Sequence, residues 1–324
     1  MTSRFTLDRR LPEHHLADSL RADVLAGLTA PPRTLPPKWF YDARGSKLFD
    51  EITRLPEYYP TRAEREILRL RAADVAELTG ARTLVELGSG SSDKTRLLID
   101  ALLRRGTLES YAPVDVSESA LSAAGEALCH EYPGLRIAAT VADFGDRLRL
   151  SAGPGPRLVA FLGGTLGNLD TAERTVFHER LRSCLGAGDA LLLGADLVKD
   201  EDVLVRAYND AQGITAEFNK NVLRVLNREL GADFDPGSFD HLAVWNRGEE
   251  RIEMRLRSRT EHTVTLPALD VKIPLARGEE VRTEISVKFR RAGLTDELRR
   301  HGFAVTRWWT DARERFALLL AVPR

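Results

Sequence analysis

Cysteine is nearly absent from this chain. Two residues of 324, Cys129 and Cys184, cannot build a disulfide framework, and neither has a partner at metal-ligand spacing. An excess of charge of one sign is also missing. The 47 Lys and Arg against 48 Asp and Glu leave a net charge of -1, whereas a broad nucleic-acid footprint shows as a basic excess. No apolar run approaches the roughly 20 residues that a membrane span needs. The start, Met1-Thr-Ser-Arg-Phe-Thr-Leu-Asp, has no apolar signal core. These absences predict a cytoplasmic protein with neither membrane nor nucleic acid as partner. The seven histidines are scattered, with only His14 and His15 adjacent, so neither a metal site nor a Ser-His-Asp or Cys-His arrangement is expected. Aromatics make up 7% of the chain, yet they crowd the stretch from Trp39 to Tyr59 and then stop until Tyr111. That clustering reads either as a packing module or as the wall of a ligand site.

What is present is the composition of a globular enzyme, 43% hydrophobic and 29% charged, in a chain long enough for one large domain or two ordinary ones. The most informative stretch is Val85-Glu-Leu-Gly-Ser-Gly-Ser-Ser-Asp-Lys-Thr95. An apolar strand, Thr83 to Leu87, runs into a Gly-x-Gly turn that opens a helix with the apolar stripe Leu97, Leu98, Ala101, Leu102. Gly88 lets the backbone approach a ligand lying across the strand ends. Asp115 ends the next apolar strand, where a carboxylate can accept both hydroxyls of a ribose. A nucleoside-bearing cofactor is therefore expected. A dinucleotide would want a third glycine three positions after Gly90, but Asp93 stands there. Acidic residues at the turn, Glu86 and Asp93, repel phosphate and attract an ammonium or sulfonium. S-adenosylmethionine carries both cations and no phosphate.

From Arg62 to Lys199 strand and helix patterns alternate, with strands at Thr83–Leu87, Ser110–Val116, Arg136–Ala142, Arg157–Leu162 and Ala190–Ala195. That alternation predicts an α/β fold with a parallel sheet covered on both faces. A helix is expected at His15–Leu28, and a long helical stretch at Val203–Leu230, interrupted near Gly213. From His241 to Phe289 the pattern changes to the period-two alternation of antiparallel strands. The closing pair, from Phe303 and from Arg315, matches a class I methyltransferase sheet, where the last strand inserts antiparallel. The expected division is a methyltransferase domain of residues 63–197 and 288–324, with a smaller α+β substrate domain of residues 14–62 and 198–287.

Other residues carry possible chemistry. Asp143-Phe144 ends the third strand, where an acid can accept from an adenine amino group beside an aromatic cover. Asn168, in the glycine-rich loop after the fourth strand, suits an amino-acid head group or an ordinary turn equally. Lys94 can reach a cofactor carboxylate, although by itself it reads better as a solvated lysine on the first turn of a helix. Glu284 and Ser286 share one face of a strand and could clasp the two nitrogens of a small ring. On alternation alone they read more simply as the polar face of a half-buried strand.

As a set, these residues resemble one family, the histidine-specific S-adenosylmethionine-dependent methyltransferases that make hercynine for ergothioneine biosynthesis. The resemblance runs from about Leu35 to the C-terminus. It rests on Leu35-Pro-Pro-Lys-Trp-Phe-Tyr-Asp-Ala, Leu55-Pro-Glu-Tyr-Tyr-Pro-Thr-Arg, Val85-Glu-Leu-Gly-Ser-Gly, Gly167-Asn-Leu, Phe218-Asn-Lys-Asn-Val-Leu and Glu250-Arg-Ile-Glu-Met. It implies that Gly88, Lys94, Asp115, Asp143 and Phe144 hold the cofactor, and that Asn168 and Tyr208 hold the carboxylate of histidine. Tyr58 would line the substrate site, with Tyr41 close to the amine. Glu284 and Ser286 would grip the imidazole, with Met254 beside it. The implied reaction is trimethylation of the α-amino group by a monomeric enzyme, through alignment of the reactants and without a dedicated acid–base residue. Two alternatives stay open: a methyltransferase for another aromatic amino acid, with an apolar residue expected in place of Glu284, and a nucleoside-binding regulator without turnover.

Overall fold

The computed structural model describes residues 4–12, 14–90, 92–143, 150 and 153–324. Its elements in chain order begin with β1 (Phe5–Arg9), α1 (His15–Leu28), β2 (Arg33–Thr34), α2 (Ala43–Ile52), α3 (Pro60–Thr79), β3 (Thr83–Leu87) and α4 (Arg96–Arg105). Next come β4 (Ser110–Asp115), α5 (Glu118–Glu131), β5 (Arg136–Val141), β6 (Arg157–Phe161), α6 (Thr171–Cys184) and β7 (Ala190–Asp196). Then follow α7 (Glu201–Ala207), α8 (Ile214–Leu230), β8 (Phe239–Asn246), β9 (Arg251–Ser258), β10 (His262–Leu266), β11 (Val271–Leu275) and β12 (Glu280–Val287). The chain closes with α9 (Arg291–Arg300), β13 (Phe303–Thr310) and β14 (Phe316–Pro323).

Contacts divide these elements into two compact units. One comprises Met1–Pro12, Pro60–Val198 and Phe289–Arg324; the other comprises Glu13–Tyr59 and Lys199–Lys288. The dividing points differ by up to three residues from the expected ones for a local reason. Helix α3 starts at Pro60, so residues 60–62 go with the sheet that the helix covers, and Lys288 goes with β12.

The first unit is built on an eight-stranded sheet of order β1-β5-β4-β3-β6-β7-β14-β13. Every pair from β1 to β7 is parallel, and β14 is antiparallel to both neighbours. This is the class I methyltransferase arrangement. Strands β3 and β7 are buried along their whole length, which is why neither shows a period-two alternation of apolar and polar residues. From β3 the chain proceeds outward to β4 and β5, then returns to β6 on its other side, so a crevice opens beyond the carboxyl ends of β3 and β6. Val116, Ala142 and Leu162 fall just outside their strands, and Asp196 falls inside β7. In α4 the buried stripe is Leu98, Ile99, Ala101 and Leu102, with Leu97 only half-buried. The polar-looking start conceals β1, whose Phe5 and Leu7 pack with Leu11 against Leu121, Ala139 and Val141.

The second unit holds a four-stranded sheet, β2-β12-β9-β8, and a separate two-stranded sheet, β10-β11. Only β2 pairs in parallel, with β12. The helical stretch expected from Val203 is two helices, with a break from Tyr208 to Gly213. Asp210 makes the break: its carboxylate accepts from the N–H of Ile214 at 3.0 Å and of Thr215 at 2.7 Å, capping α8. Among the described residues no helix is long and apolar enough to cross a membrane.

Candidate functional site

In the sheet unit, β3 delivers the chain into a turn with Gly88 at φ +68° and Gly90 at φ +49°, values at which a Cβ would be strained. The Gly88 N–H donates to the carbonyl of Val114 at 2.8 Å, tying the turn to β4. The Gly90 N–H donates to Asp115 Oδ2 at 3.0 Å, and the Ser117 N–H donates to Oδ1 at 2.9 Å. Asp115 is therefore fixed by the same turn that would carry the cofactor. Burial raises its pKa, against the backbone N–H groups of Ser117 and Gly90, which lower it. Asp143 lies two residues beyond Val141, the register partner of Asp115 on β5. Phe144 lies outside the described residues. Asn168 ends a 3-10 turn, Thr165–Asn168, that follows β6.

Lys94 corrects one sequence reading. It precedes α4 rather than sitting on its first turn, and its ammonium forms an ion pair with Glu64, a fully buried carboxylate of α3. Glu64 Oε1 also accepts from the Gly163 N–H, in the loop after β6, at 2.8 Å. Below the turn, Glu86 is buried with Tyr111, Thr95 and Ser92. Thr95 donates to Glu86 Oε1 at 2.5 Å, the Tyr111 hydroxyl donates to Oε2, and the Ser92 and Tyr111 hydroxyls lie 2.8 Å apart. Burial raises the Glu86 carboxyl to about 7, opposed by these hydrogen bonds and by Lys94. The Ser89 hydroxyl, inside the turn, is buried without a protein partner, as expected of a polar atom that a ligand completes. A carboxylate-rich turn with an orphan hydroxyl fits a cationic, phosphate-free nucleoside cofactor.

The raised Glu86 carboxyl has a consequence for stability. The folded chain holds this proton more tightly than the unfolded chain, whose carboxyl has the ordinary value of 4.5. The stabilisation is complete below pH 4.5 and is lost as pH rises through about 7. Glu86→Gln, neutral at every pH, should gain on the order of 3 kcal/mol over the wild type across that interval. Thermal unfolding of both proteins over the pH range checks this, and parallel curves would show that Glu86 keeps one protonation state.

In the second unit, Glu284 and Ser286 stand on β12 in register with Met254 and Ile252 of β9. Ser286 Oγ lies 2.8 Å from the hydroxyl of Tyr208. The Tyr208 ring is 6.3 Å from that of Tyr58, in an edge-on series that continues from Tyr58 to Phe49 and from Phe49 to Tyr41. The aromatic crowd of the N-terminal segment thus converges with Tyr208 and with Phe218 of α8. Tyr58 and Tyr208 are buried, whereas Tyr41 is 42% exposed. Tyr208 is held from behind: Asn219 Nδ2 donates to Nδ1 of His241 at 2.8 Å, so the opposite ring N–H donates to the Tyr208 carbonyl at 2.8 Å. Burial lowers the pKa of His241, favouring this neutral form.

In the sheet unit Gly88 and Asp115 meet at the turn and Lys94 follows it, while Asp143 and Asn168 follow β5 and β6; in the second unit Tyr41, Tyr58 and Tyr208 share the aromatic series, and Glu284 and Ser286 stand on β12 with Glu284 in register with Met254. The sequence reading missed Glu64, His241 and Lys288. Lys288 was findable, because the period of two that links Glu284 to Ser286 reaches it in one more step. Glu64 carries no local signal at all.

The profile of histidine-specific, SAM-dependent methyltransferases matches residues 20–323. A histidine N-alpha-methyltransferase of Mycolicibacterium smegmatis is 55% identical, over 94% of this chain and 95% of that protein. One from Mycobacterium tuberculosis is 54% identical over 95% of each. An L-tryptophan methyltransferase of Psilocybe serbica is 31% identical over 93% of this chain and 92% of its own. With its turn, its sheet order and this match over nearly the whole length, the chain belongs to the histidine-specific, S-adenosylmethionine-dependent methyltransferases.

Proposed function

We propose that the chain trimethylates the α-amino group of L-histidine to hercynine, the first step of ergothioneine biosynthesis, acting as a cytoplasmic monomer on the free amino acid. The observation that carries the substrate is the polar pair on β12. A carboxylate and a hydroxyl two residues apart, with Met254 opposite and Tyr208 hydrogen-bonded to the hydroxyl, suit a flat ring bearing two nitrogens. A net charge of -1 favours a small-molecule acceptor over nucleic acid.

S-adenosylmethionine, when bound, supplies a methyl group activated by its sulfonium. Gly88, Lys94, Asp115, Asp143 and Phe144 are assigned to holding it, with Asp115 on the ribose and Lys94 on the carboxylate. Glu284 and Ser286 take the imidazole, Met254 packs against it, and Tyr208 and Asn168 take the carboxylate. Tyr58 lines the site and Tyr41 is assigned near the amine. Aromatic faces there suit a nitrogen that becomes a trimethylated cation. No acid is required for a leaving group already this good, so the residues act by holding the amine in line, an effect worth several kcal/mol.

The test is a mass-spectrometric assay with S-adenosylmethionine and each of the twenty amino acids in turn. A gain of three methyl groups on histidine alone is expected. Methylation of tryptophan with histidine untouched would keep the cofactor assignment and overturn that of Glu284.

A further inference from the structure

Beneath the turn after β3, two buried carboxyls face one ammonium. Glu64 is fully buried and pairs with Lys94, while Glu86 is 3% exposed and, among the described residues, has hydrogen bonds but no ion pair. Burial disfavours a charge on Glu86 most strongly, Lys94 favours one, and Glu64 opposes it. The hydroxyls around Glu86 nevertheless suit both of its forms. As a carboxylate it accepts from Thr95 and from Tyr111, whose oxygen then accepts from Ser92. As an acid it donates to the Tyr111 oxygen, and Tyr111 donates on to Ser92. Turning the Tyr111 and Ser92 hydroxyls converts one chain into the other, and the three groups stay linked throughout. Tyr111 itself stays neutral, because burial and the neighbouring Glu86 push its pKa well up.

Ser92 and Thr95 belong to the segment that carries the chain from the turn into α4. The switchable charge therefore lies under the stretch assigned to the cofactor. Before transfer that cofactor is S-adenosylmethionine, a sulfonium; afterwards it is S-adenosylhomocysteine, a neutral thioether. The adenosine, ammonium and carboxylate are the same in both. A buried carboxylate attracts the first sulfur and is indifferent to the second, and a protein interior transmits that attraction better than water does. We propose that Glu86 is a specificity-determining residue which, as a carboxylate, makes the site favour S-adenosylmethionine over the spent S-adenosylhomocysteine. This rests on the cofactor-site reading above and adds how that site tells the charged cofactor from its neutral product.

The test is the ratio of the two Kd values, measured by calorimetry on the whole chain across the pH range. Burial holds the proton of Glu86 up to about pH 7. The preference for S-adenosylmethionine should therefore grow as pH rises and be complete above that value. A rise of about 3- to 10-fold is expected, the scale of one unit-charge interaction at an effective dielectric of about 20. Charges common to both ligands cancel in the ratio, and so does Asp115, which is assigned to the ribose they share. Just below pH 7, binding of S-adenosylmethionine should also release part of a proton that S-adenosylhomocysteine leaves in place, read from buffers of different ionisation enthalpy. Glu86→Gln should hold the ratio at its low-pH value and abolish that release. Tyr111→Phe removes a donor to the carboxylate, so the same rise should come at higher pH; this second variant guards against a folding defect peculiar to glutamine. A ratio independent of pH in the wild type, or a Gln variant that keeps the rise, would overturn the role of Glu86. A wild type that binds neither ligand at any pH would overturn the cofactor-site reading itself, and this inference with it.

Discussion

Replacing Glu284 with alanine should raise the KM for L-histidine about 30- to 100-fold and leave the KM for S-adenosylmethionine within about twofold, because only one ligand loses a charged hydrogen bond. On β12, Glu284 is flanked by the buried Ile285 and faces the buried Met254 across the register. A ring nitrogen brought to that position leaves water behind and needs an acceptor in return. Removing the carboxylate leaves a buried N–H without a partner, a loss of about 2–3 kcal/mol. Glu284→Gln should fall between, since the amide oxygen still accepts but carries no full charge. Initial rates measured at varied histidine and varied cofactor separate the two constants. Equal rises in both KM values would mean that Glu284 supports the fold and does not hold the ring.

How far such a site is legible in the sequence depends on whether its parts are local. Strand β3 was read with its observed ends because full burial leaves five consecutive residues without alternation. Asp115 was legible for a related reason, as an acid closing an apolar run at the right distance from the turn. Strand β1 was not, because Phe5 and Leu7 gain meaning only from Leu121, Ala139 and Val141, more than a hundred residues away. The aromatic crowd before Tyr59 could be seen but not interpreted. Its partners, Phe218 and Tyr208, come from another part of the chain. The ion pair of Lys94 was not legible because the carboxylate that claims it lies on α3, far away in the sequence. The role of the β12 pair came from family resemblance, since alternation alone cannot tell a polar face from a clasp. Lys288 could have been reached by alternation alone, but no spacing rule describes its contacts with Ser286 and Tyr208.

Glu64 offers the second large effect. Its carboxylate is completely buried, paired with Lys94 and bonded to the Gly163 N–H, and it ties α3 to the turn after β3 and to the loop after β6. Glu64→Ala would leave a largely buried lysine and a backbone donor without that acceptor, a loss of about 3–5 kcal/mol. A fall in the melting temperature of roughly 6–20 °C is the expected reading, at 2–4 °C per kcal/mol in a domain of this size. Gly194→Ala should act in the same direction from the opposite side. A Cβ at that position would stand 2.1 Å from Glu64 Oε1, so that the carboxylate must shift, and 3.2 Å from Phe316, which must give by a few tenths of an ångström, and β7 cannot retreat from the middle of the sheet. The decisive comparison is the double variant Glu64→Ala with Lys94→Met. If the damage comes from the abandoned cation, removing that cation as well should recover about 1–3 kcal/mol, a coupling expected between residues in direct contact. Simple addition of the two losses would instead mean that Glu64 matters for the space it fills, and that the ion pair beneath the turn contributes little.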